Sequence, residues 1–312
     1  MKVCFVGIGS IARRHIRNLL EVCNDRNIDI TIDALRRKSS NELEKIEGVS
    51  NIYFSTSEMP SDYDVIFLTN PTEYHAQALI ELHNYARHFF IEKPVTSLDT
   101  IDTIKQLELR DDSVYYVACP LRYTNVIQFL KENIDISKVN SVRCISSSYL
   151  PDWRPGIDYR TTYSAHKDLG GGVSIDLIHE WDYLAYLFGM PVDIKSFIGK
   201  TSKLEIDSDD YAIYIARYAN GIITELHLDY FGRQPIRQIE VFTDDETMVG
   251  DLIGGSVRFL KSGKLLEFES DRDIYQKREL DYFLDVISGK ADEYNNIYHG
   301  IRVLQLTQGV II

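Results

Sequence analysis

Two stretches of this 312-residue sequence carry residue types and spacings that could do chemistry before any fold is assumed. The first is Gly7-x-Gly9-x-x-Ala12, which follows a strand-like run and opens a helical pattern, the context that gives a glycine motif meaning. There Gly7 permits a tight turn, Gly9 lets the backbone approach a pyrophosphate, and Ala12 lets helix pack on strand. The helix N-terminus at Ser10 and Ile11 offers N–H groups and a partial positive charge to phosphates. A glycine turn without a ligand is the alternative. The second stretch runs from Leu150-Pro151-Asp152-Trp153-Arg154-Pro155 through Asp158-Tyr159-Arg160 to His166-Lys167, without periodicity. Long polar loops of this kind are commonly functional. Trp153 could stack on a sugar face while Arg154, Arg160 and Lys167 bind a carboxylate or nucleotide phosphate. A packing or subunit-contact loop is the other reading.

A third signal lies in Ala34-Leu35-Arg36-Arg37-Lys38-Ser39, where a second strand should end. An acidic residue at that place holds the ribose 2′-hydroxyl of NAD. Here Arg36, Arg37, Lys38 and the hydroxyl of Ser39 suit a 2′-phosphate, because guanidinium groups pair with phosphate oxygens in bidentate fashion. The cofactor expectation is NAD(P), leaning to NADP(H). A solvated basic loop is the alternative, and Asp33 becomes the acidic partner if the strand ends earlier.

These residues need elements to position them. The first 120 residues alternate short β-branched or aromatic runs (Val3 to Gly7, Ile28 to Leu35, Val65 to Thr69, Phe89 to Glu92, Val114 to Ala118) with helical spacing (Ala12 to Val22, Ser40 to Ile46, Tyr74 to Tyr85, Ser97 to Leu109). That order predicts an α/β domain with a parallel sheet. After Pro120 a helix over Asn125 to Asn133 leads into strand-like runs at Val139 to Tyr149, Ile194 to Gly199, Tyr211 to Tyr218, Ile222 to Tyr230 and Arg237 to Thr243. Asn220-Gly221 predicts a two-residue type I′ hairpin. One helix over Ser174 to Phe188 interrupts this set, and helices at Asp273 to Ser288 and His299 to Gln308 close the chain. The expected division is 1–120, a Rossmann dinucleotide domain, and 121–312, an α+β domain with an open, mainly antiparallel sheet. The last helices are candidates to pack back on the first domain.

Composition narrows the function. Hydrophobic residues at 44% and charged residues at 26% describe an ordinary globular protein. A net charge of -13 disfavours nucleic acid over a broad surface, since a phosphate-backbone binder needs a basic face. Cys4, Cys23, Cys119 and Cys144 lack metal-site or disulfide-scaffold spacing and read as buried thiols. No run approaches the roughly 20 apolar residues that span a bilayer. The expectation is a cytoplasmic protein without a membrane partner or a metal.

Several motifs now coincide in order. Gly7 to Ala12 is followed by Thr69-Asn70-Pro71 with His75, then Glu92-Lys93-Pro94, Leu121-Arg122-Tyr123, and Gly170-Gly171-Gly172 leading to Asp176 and His179. Together they resemble the Gfo/Idh/MocA family of sugar and inositol oxidoreductases over nearly the whole chain. The resemblance implies that Thr69, Asn70, Pro71 and His75 line the dinucleotide groove, that Glu92 contacts the nicotinamide ribose, and that Arg122 serves cofactor and substrate at the domain entry. It also implies that Lys93 reaches the substrate hydroxyl or carbonyl, a place where desolvation and cationic neighbours tune a lysine for proton transfer. His179 is the second proton candidate, since imidazole titrates near neutrality, with Asp176 as its orienter. The family usually separates these two by four residues; here the separation is three, which still leaves both on one face of a continuous helix. An N-cap at Asp176 and a hydrogen-bonded core histidine at His179 are the structural alternatives. The third glycine exceeds what a turn needs and points to a nearby ligand.

The function expected is hydride transfer between NAD(P) and a secondary alcohol or ketone of a sugar, with Lys93, His179 and Asp176 catalytic. A segment like Leu150 to Trp153 resembles family members of surface-polysaccharide and acidic or amino-sugar metabolism, so the sugar could be nucleotide-linked or acidic. Two further readings are a glycoside hydrolase or isomerase that retains NAD and a non-catalytic sugar or dinucleotide sensor. Alternation in Tyr211 to Tyr218 and Ile222 to Tyr230 leaves one apolar sheet face to be covered, which predicts a homo-oligomer through that sheet.

Overall fold

The computed structural model describes residues 1–37 and 45–311. The chain divides into two units, Met1–Ala118 with Gln276–Ile301, and Cys119–Tyr275 with Arg302–Ile312.

In the first unit the apolar runs form six parallel strands: β1 (Lys2–Val6), β2 (Thr31–Leu35), β3 (Asn51–Tyr53), β4 (Tyr63–Leu68), β5 (Ala86–Ile91) and β6 (Tyr115–Val117), in the order β3-β2-β1-β4-β5-β6. Near-continuous burial along β1, β4 and β5 is what a parallel sheet covered on both faces requires. One aromatic from each of four neighbouring strands sits in register. Phe5 stacks on Phe67 at 4.5 Å, Phe67 on Phe90 at 4.7 Å, and Phe90 on Tyr116 at 5.4 Å. Helix α1 (Ser10–Asp25) follows β1, α2 (His75–Leu82) follows β4, and α3 (Ile101–Lys105) follows β5. The strand order reverses at β1 and β4, and open α/β sheets bind ligands in the crevice outside the carboxyl ends of such a pair.

The second unit begins with α4 (Asn125–Asn133) and β7 (Val139–Tyr149). Two short helices, α5 (Val173–Asp176) and α6 (His179–Phe188), precede β8 (Asp193–Gly199), β9 (Tyr211–Arg217), β10 (Ile223–Asp229), β11 (Phe231–Thr243), β12 (Thr247–Asp251), β13 (Ser256–Phe259) and β14 (Leu265–Glu267). The eight strands run β14-β13-β12-β11-β7-β10-β9-β8 and are antiparallel except for β7 with β10. Trp181 of α6 meets Tyr214 of β9 edge-on at 5.2 Å on the covered face. Helix α7 (Arg272–Ile287) brings Phe283 against Phe67, Phe90 and Tyr116 in the first unit, where Arg26 also pairs with Asp281 and Asp285. Helix α8 (Ile297–Leu306) seats Gly300 against Val95 and Val117 in the same unit, too close for a side chain. Among the described residues no helix is long and apolar enough to cross a membrane, and all four cysteines are buried thiols outside any disulfide.

Several local expectations change. The predicted helix over Ser174 to Phe188 is broken: Leu177, at φ −95° and ψ 32°, leaves the helical region between α5 and α6. The hairpin at Asn220-Gly221 forms, but only Gly221 has positive φ, at 91°. Tyr218 N–H donates to Ile222 O and Gly221 N–H to Tyr218 O, so a three-residue loop, Ala219-Asn220-Gly221, replaces the two-residue type I′ turn. The helix expected over Ser97 to Leu109 is confined to α3 after a single 3₁₀ turn. The edge strand β3 is too short to show an alternating pattern. The Ser40 to Ile46 helix falls largely outside the described residues, as do Lys38 and Ser39.

Candidate active site

At the carboxyl ends of β1 and β4 the backbones of two loops meet. Gly7, at φ 83°, lies so close to Asn70 that a Cβ would stand 2.8 Å from its Cα, which no L side chain tolerates. Thr69 Oγ1 donates to the carbonyls of Gly7 and Val6, and Gly7 N–H donates to Leu35 O. Gly9 caps α1 without a side-chain hydrogen bond, a Cβ there would meet open space, and the first turn carries no acidic residue. Bare N–H groups, the positive helix end and an open approach fit a pyrophosphate. Ala12 is fully buried against the sheet. Ser10 and Ile11 form the first turn itself.

A groove of about 710 Å³ runs from this turn past Asn70 and Pro71 to Arg36 and Arg37. It is also lined by Arg13, Ser55, Thr56 and Tyr74, and the Arg37 guanidinium lies 4.2 Å from the centre of the Tyr74 ring. Asp33 is not available there. It is 1% exposed, and its carboxylate accepts from Asn51 Nδ2 at 2.8 Å and from the Tyr63 hydroxyl at 2.9 Å. Those two donors hold it inside the sheet.

His75, expected on the groove wall, is buried beneath it. Its Nε2 lies 2.9 Å from Asn70 O, and its Nδ1 3.1 Å from Pro94 O, so it ties the turn after β4 to the turn after β5. Burial lowers its pKa below the usual imidazole value. Glu92 and Lys93 follow β5, before a cis Lys93–Pro94 peptide. Burial alone would raise the Glu92 carboxyl, but His15, whose Nε2 is 2.5 Å from Oε1, and Lys93, by charge and backbone N–H, hold it below the ordinary carboxylate value.

In the second unit Asp176 ends α5 and His179 begins α6, so they occupy separate short helices, not one face of a continuous helix. Asp176 Oδ2 accepts from the Tyr230 hydroxyl at 2.6 Å, and the Tyr163 phenol also donates to this carboxylate. Trp153 packs edge-on against Tyr230 at 5.2 Å and donates from Nε1 to Ser148 Oγ. The Arg154 guanidinium lies 5.6 Å over the Tyr163 ring, which is 42% exposed. Arg160 is engaged by Asp158 and Glu205, while Lys167 is exposed. Arg122 has its guanidinium sealed in a two-pronged pair with Asp182, at 2.7 and 2.5 Å, with both residues buried. The glycine triplet serves the protein's own packing: a Cβ on Gly171 would stand 2.0 Å from Tyr163 O, and one on Gly172 2.2 Å from Asp209 Oδ1. The third glycine therefore needs no ligand to explain it.

Residues 1–119 match the oxidoreductase family with an NAD-binding Rossmann fold, and residues 127–249 match the C-terminal domain of the same Gfo/Idh/MocA group. The chain belongs to the Gfo/Idh/MocA oxidoreductase family. It is 24% identical to myo-inositol 2-dehydrogenase of Thermotoga maritima over 93% of this chain and 89% of that protein. It is 26% identical to the uncharacterized oxidoreductase YrbE of Bacillus subtilis, over 69% of this chain and 63% of YrbE's length. UDP-N-acetylglucosamine 3-dehydrogenase GnnA from Acidithiobacillus ferrooxidans shares the fold, with a TM-score of 0.78 at 19% identity over 99% of this chain and 96% of that one.

In this Gfo/Idh/MocA chain, sequence reasoning passed over Arg13 and Tyr74 in the groove, His15 beneath it, and Tyr163 and Tyr230 on Asp176. Arg13 was legible as the cation following Ala12 on the same first turns of α1. No local pattern ties Tyr230 to Asp176.

Proposed function

We propose that this chain is a dehydrogenase that prefers NADP(H) and moves a hydride between the nicotinamide and a secondary alcohol or ketone of a sugar, nucleotide-linked or acidic. The observation that carries the cofactor preference is the engagement of Asp33 by Asn51 and Tyr63, which leaves Arg36 and Arg37 as charged groups of the groove where a ribose 2′-substituent is read. Arginines there favour a phosphate over a hydroxyl.

Nicotinamide, when bound, supplies the hydride chemistry. The chain's share is to hold the substrate and carry one proton. As the carbinol C–H leaves as hydride, the hydroxyl proton passes to Lys93 or His179; in reduction the same group returns it to the carbonyl oxygen. Asp176 is the orienter, and Glu92 is assigned to the nicotinamide ribose. With Arg160 engaged by two carboxylates, Arg154 and Lys167 are the cations for a substrate anion, and Trp153 supplies an aromatic face. The name of the UDP-N-acetylglucosamine 3-dehydrogenase above supports a nucleotide-linked sugar, and that of the myo-inositol 2-dehydrogenase a ring hydroxyl as the group oxidised.

Calorimetric titration of nucleotide-stripped protein with NADPH and NADH, repeated on Arg36→Ala/Arg37→Ala, tests this reading. Tighter NADPH binding that is lost in the double variant supports it. Equal or tighter NADH binding overturns the NADP preference, and no binding of either overturns the dehydrogenase.

The open face of the second unit's sheet supports a homo-oligomer. Phe197, 74% exposed, pairs with Ile213, and Ile215 and Ile223 extend the apolar surface along β9 and β10. Light scattering across micromolar concentrations distinguishes an oligomer from a monomer.

A further inference from the structure

His15 has no part in the function described so far, yet it is the buried partner of a residue that does. It lies on α1 three positions after Ala12, on the same helix face, and is 1% exposed. Its ring sits among the core aromatics, edge-on to Phe90 at 5.2 Å and tilted against Phe67 at 6.2 Å. Leucine or phenylalanine would satisfy such surroundings. An imidazole buried there carries a desolvation cost, and His15 Nδ1 has no hydrogen-bond partner among the described residues. What the ring provides in return is a hydrogen bond, Nε2 to Glu92 Oε1 at 2.5 Å.

Glu92 is held from two sides. Oε1 faces His15, and Oε2 accepts the backbone N–H of Lys93 at 3.1 Å. A carboxylate offers about four lone-pair sites, so each oxygen retains capacity for a ligand hydroxyl after these two bonds. The pair also links the helix that begins at the glycine turn to the turn that carries Lys93, across 77 positions of sequence.

We propose that His15 is a positioning residue for the nicotinamide half of the cofactor, fixing the Glu92 carboxylate that receives the nicotinamide ribose. The adenosine half is bound by a separate set at Arg36 and Arg37, so the two halves respond to different substitutions. This inference rests on the assignment of Glu92 made under the proposed function.

The test is calorimetric binding of the whole protein to NADPH and NADH, and to their adenosine halves 2′,5′-ADP and ADP. His15→Leu is expected to weaken the preferred dinucleotide by about tenfold or more, the scale of one hydrogen bond to a charged group, and to leave its adenosine half within about twofold. His15→Gln, which keeps an N–H donor, is expected to recover most of the loss. Glu92→Gln is expected to weaken the dinucleotide comparably, and His15→Leu/Glu92→Gln to lose no more than either alone. Equal loss of dinucleotide and adenosine half in His15→Leu would show a merely structural role and overturn the proposal, as would wild-type binding of both. If His15→Leu does not fold, His15→Met takes its place in the same cycle with Glu92→Gln: losses that add in the double variant, or no loss from His15→Met, overturn it. Failure of the wild-type protein to bind either dinucleotide is a different result, and it overturns the proposed function together with this inference.

Discussion

Tyr230 donates its phenolic proton to Asp176 at 2.6 Å, joining the residue after β10 to the last residue of α5 across 54 positions of sequence. Tyr230 is fully buried and Asp176 nearly so. Burial, and then the Asp176 charge, push the Tyr230 phenol well above its ordinary value, so it stays a donor. Asp176 is thus oriented by the sheet behind it, and the break at Leu177 lets His179 start a helix of its own.

Tyr230→Phe removes that donor and leaves the buried carboxylate with one phenol fewer. The expected cost is about 1.5–3 kcal/mol, the scale of one hydrogen bond to a charged group. Scanning calorimetry should show a thermal midpoint lower by several degrees. Under the proposed function, dinucleotide affinity should be unchanged by titration, while turnover on a sugar substrate should fall at least tenfold.

Arg122 and Asp182 form a buried pair, 2% and 5% exposed. Arg122→Met should destabilise by about 3–5 kcal/mol because it strands the Asp182 charge, whereas Arg122→Met/Asp182→Leu should recover much of that, because no lone ion remains. Urea unfolding of the two variants measures the difference. If Arg122 acted only on cofactor or substrate, the single variant would change binding with its stability intact.

His88 sets an acid limit on stability. Burial first, and then the neighbouring Arg87 charge, lower its pKa to about 4. Its Nδ1 accepts the Val114 N–H at 3.0 Å, a bond that requires the neutral ring. An unfolded histidine titrates near about 6.5, so between that value and about 4 the unfolded chain binds the extra proton. The contribution is fully present above about pH 6.5 and is lost as pH falls towards 4, by a few kcal/mol in total. His88→Gln should flatten the pH dependence of the denaturation midpoint across that window, and an unchanged slope would remove His88 as its source.

The glycine turn was legible because it is local: Gly7, Gly9 and Ala12 act on one strand, one turn and one helix, and each requirement is steric within a few residues. The parallel sheet of the first unit and the long strands of the second were legible for the same reason, since burial on one or both faces is written into residue spacing. The basic run at Arg36 and Arg37 was visible, but the fate of Asp33 was not. Whether that carboxylate served a ribose or the sheet depended on Asn51 and Tyr63, which arrive from two other strands.

By itself the sequence determined two domains of stated class, a dinucleotide turn, and the residue types available for proton transfer, because hydrophobic period and turn chemistry are properties of neighbours in the chain. Tertiary structure alone decided which polar groups remain available for chemistry. It sealed Arg122 with Asp182, moved His75 beneath the groove, bound Asp176 to Tyr230 and set His15 against Glu92, pairs 60, 19, 54 and 77 residues apart in their defining contacts. A buried charge or hydrogen-bonding group must find a partner wherever the fold supplies one, and nothing in the spacing of a single segment records which partner that is.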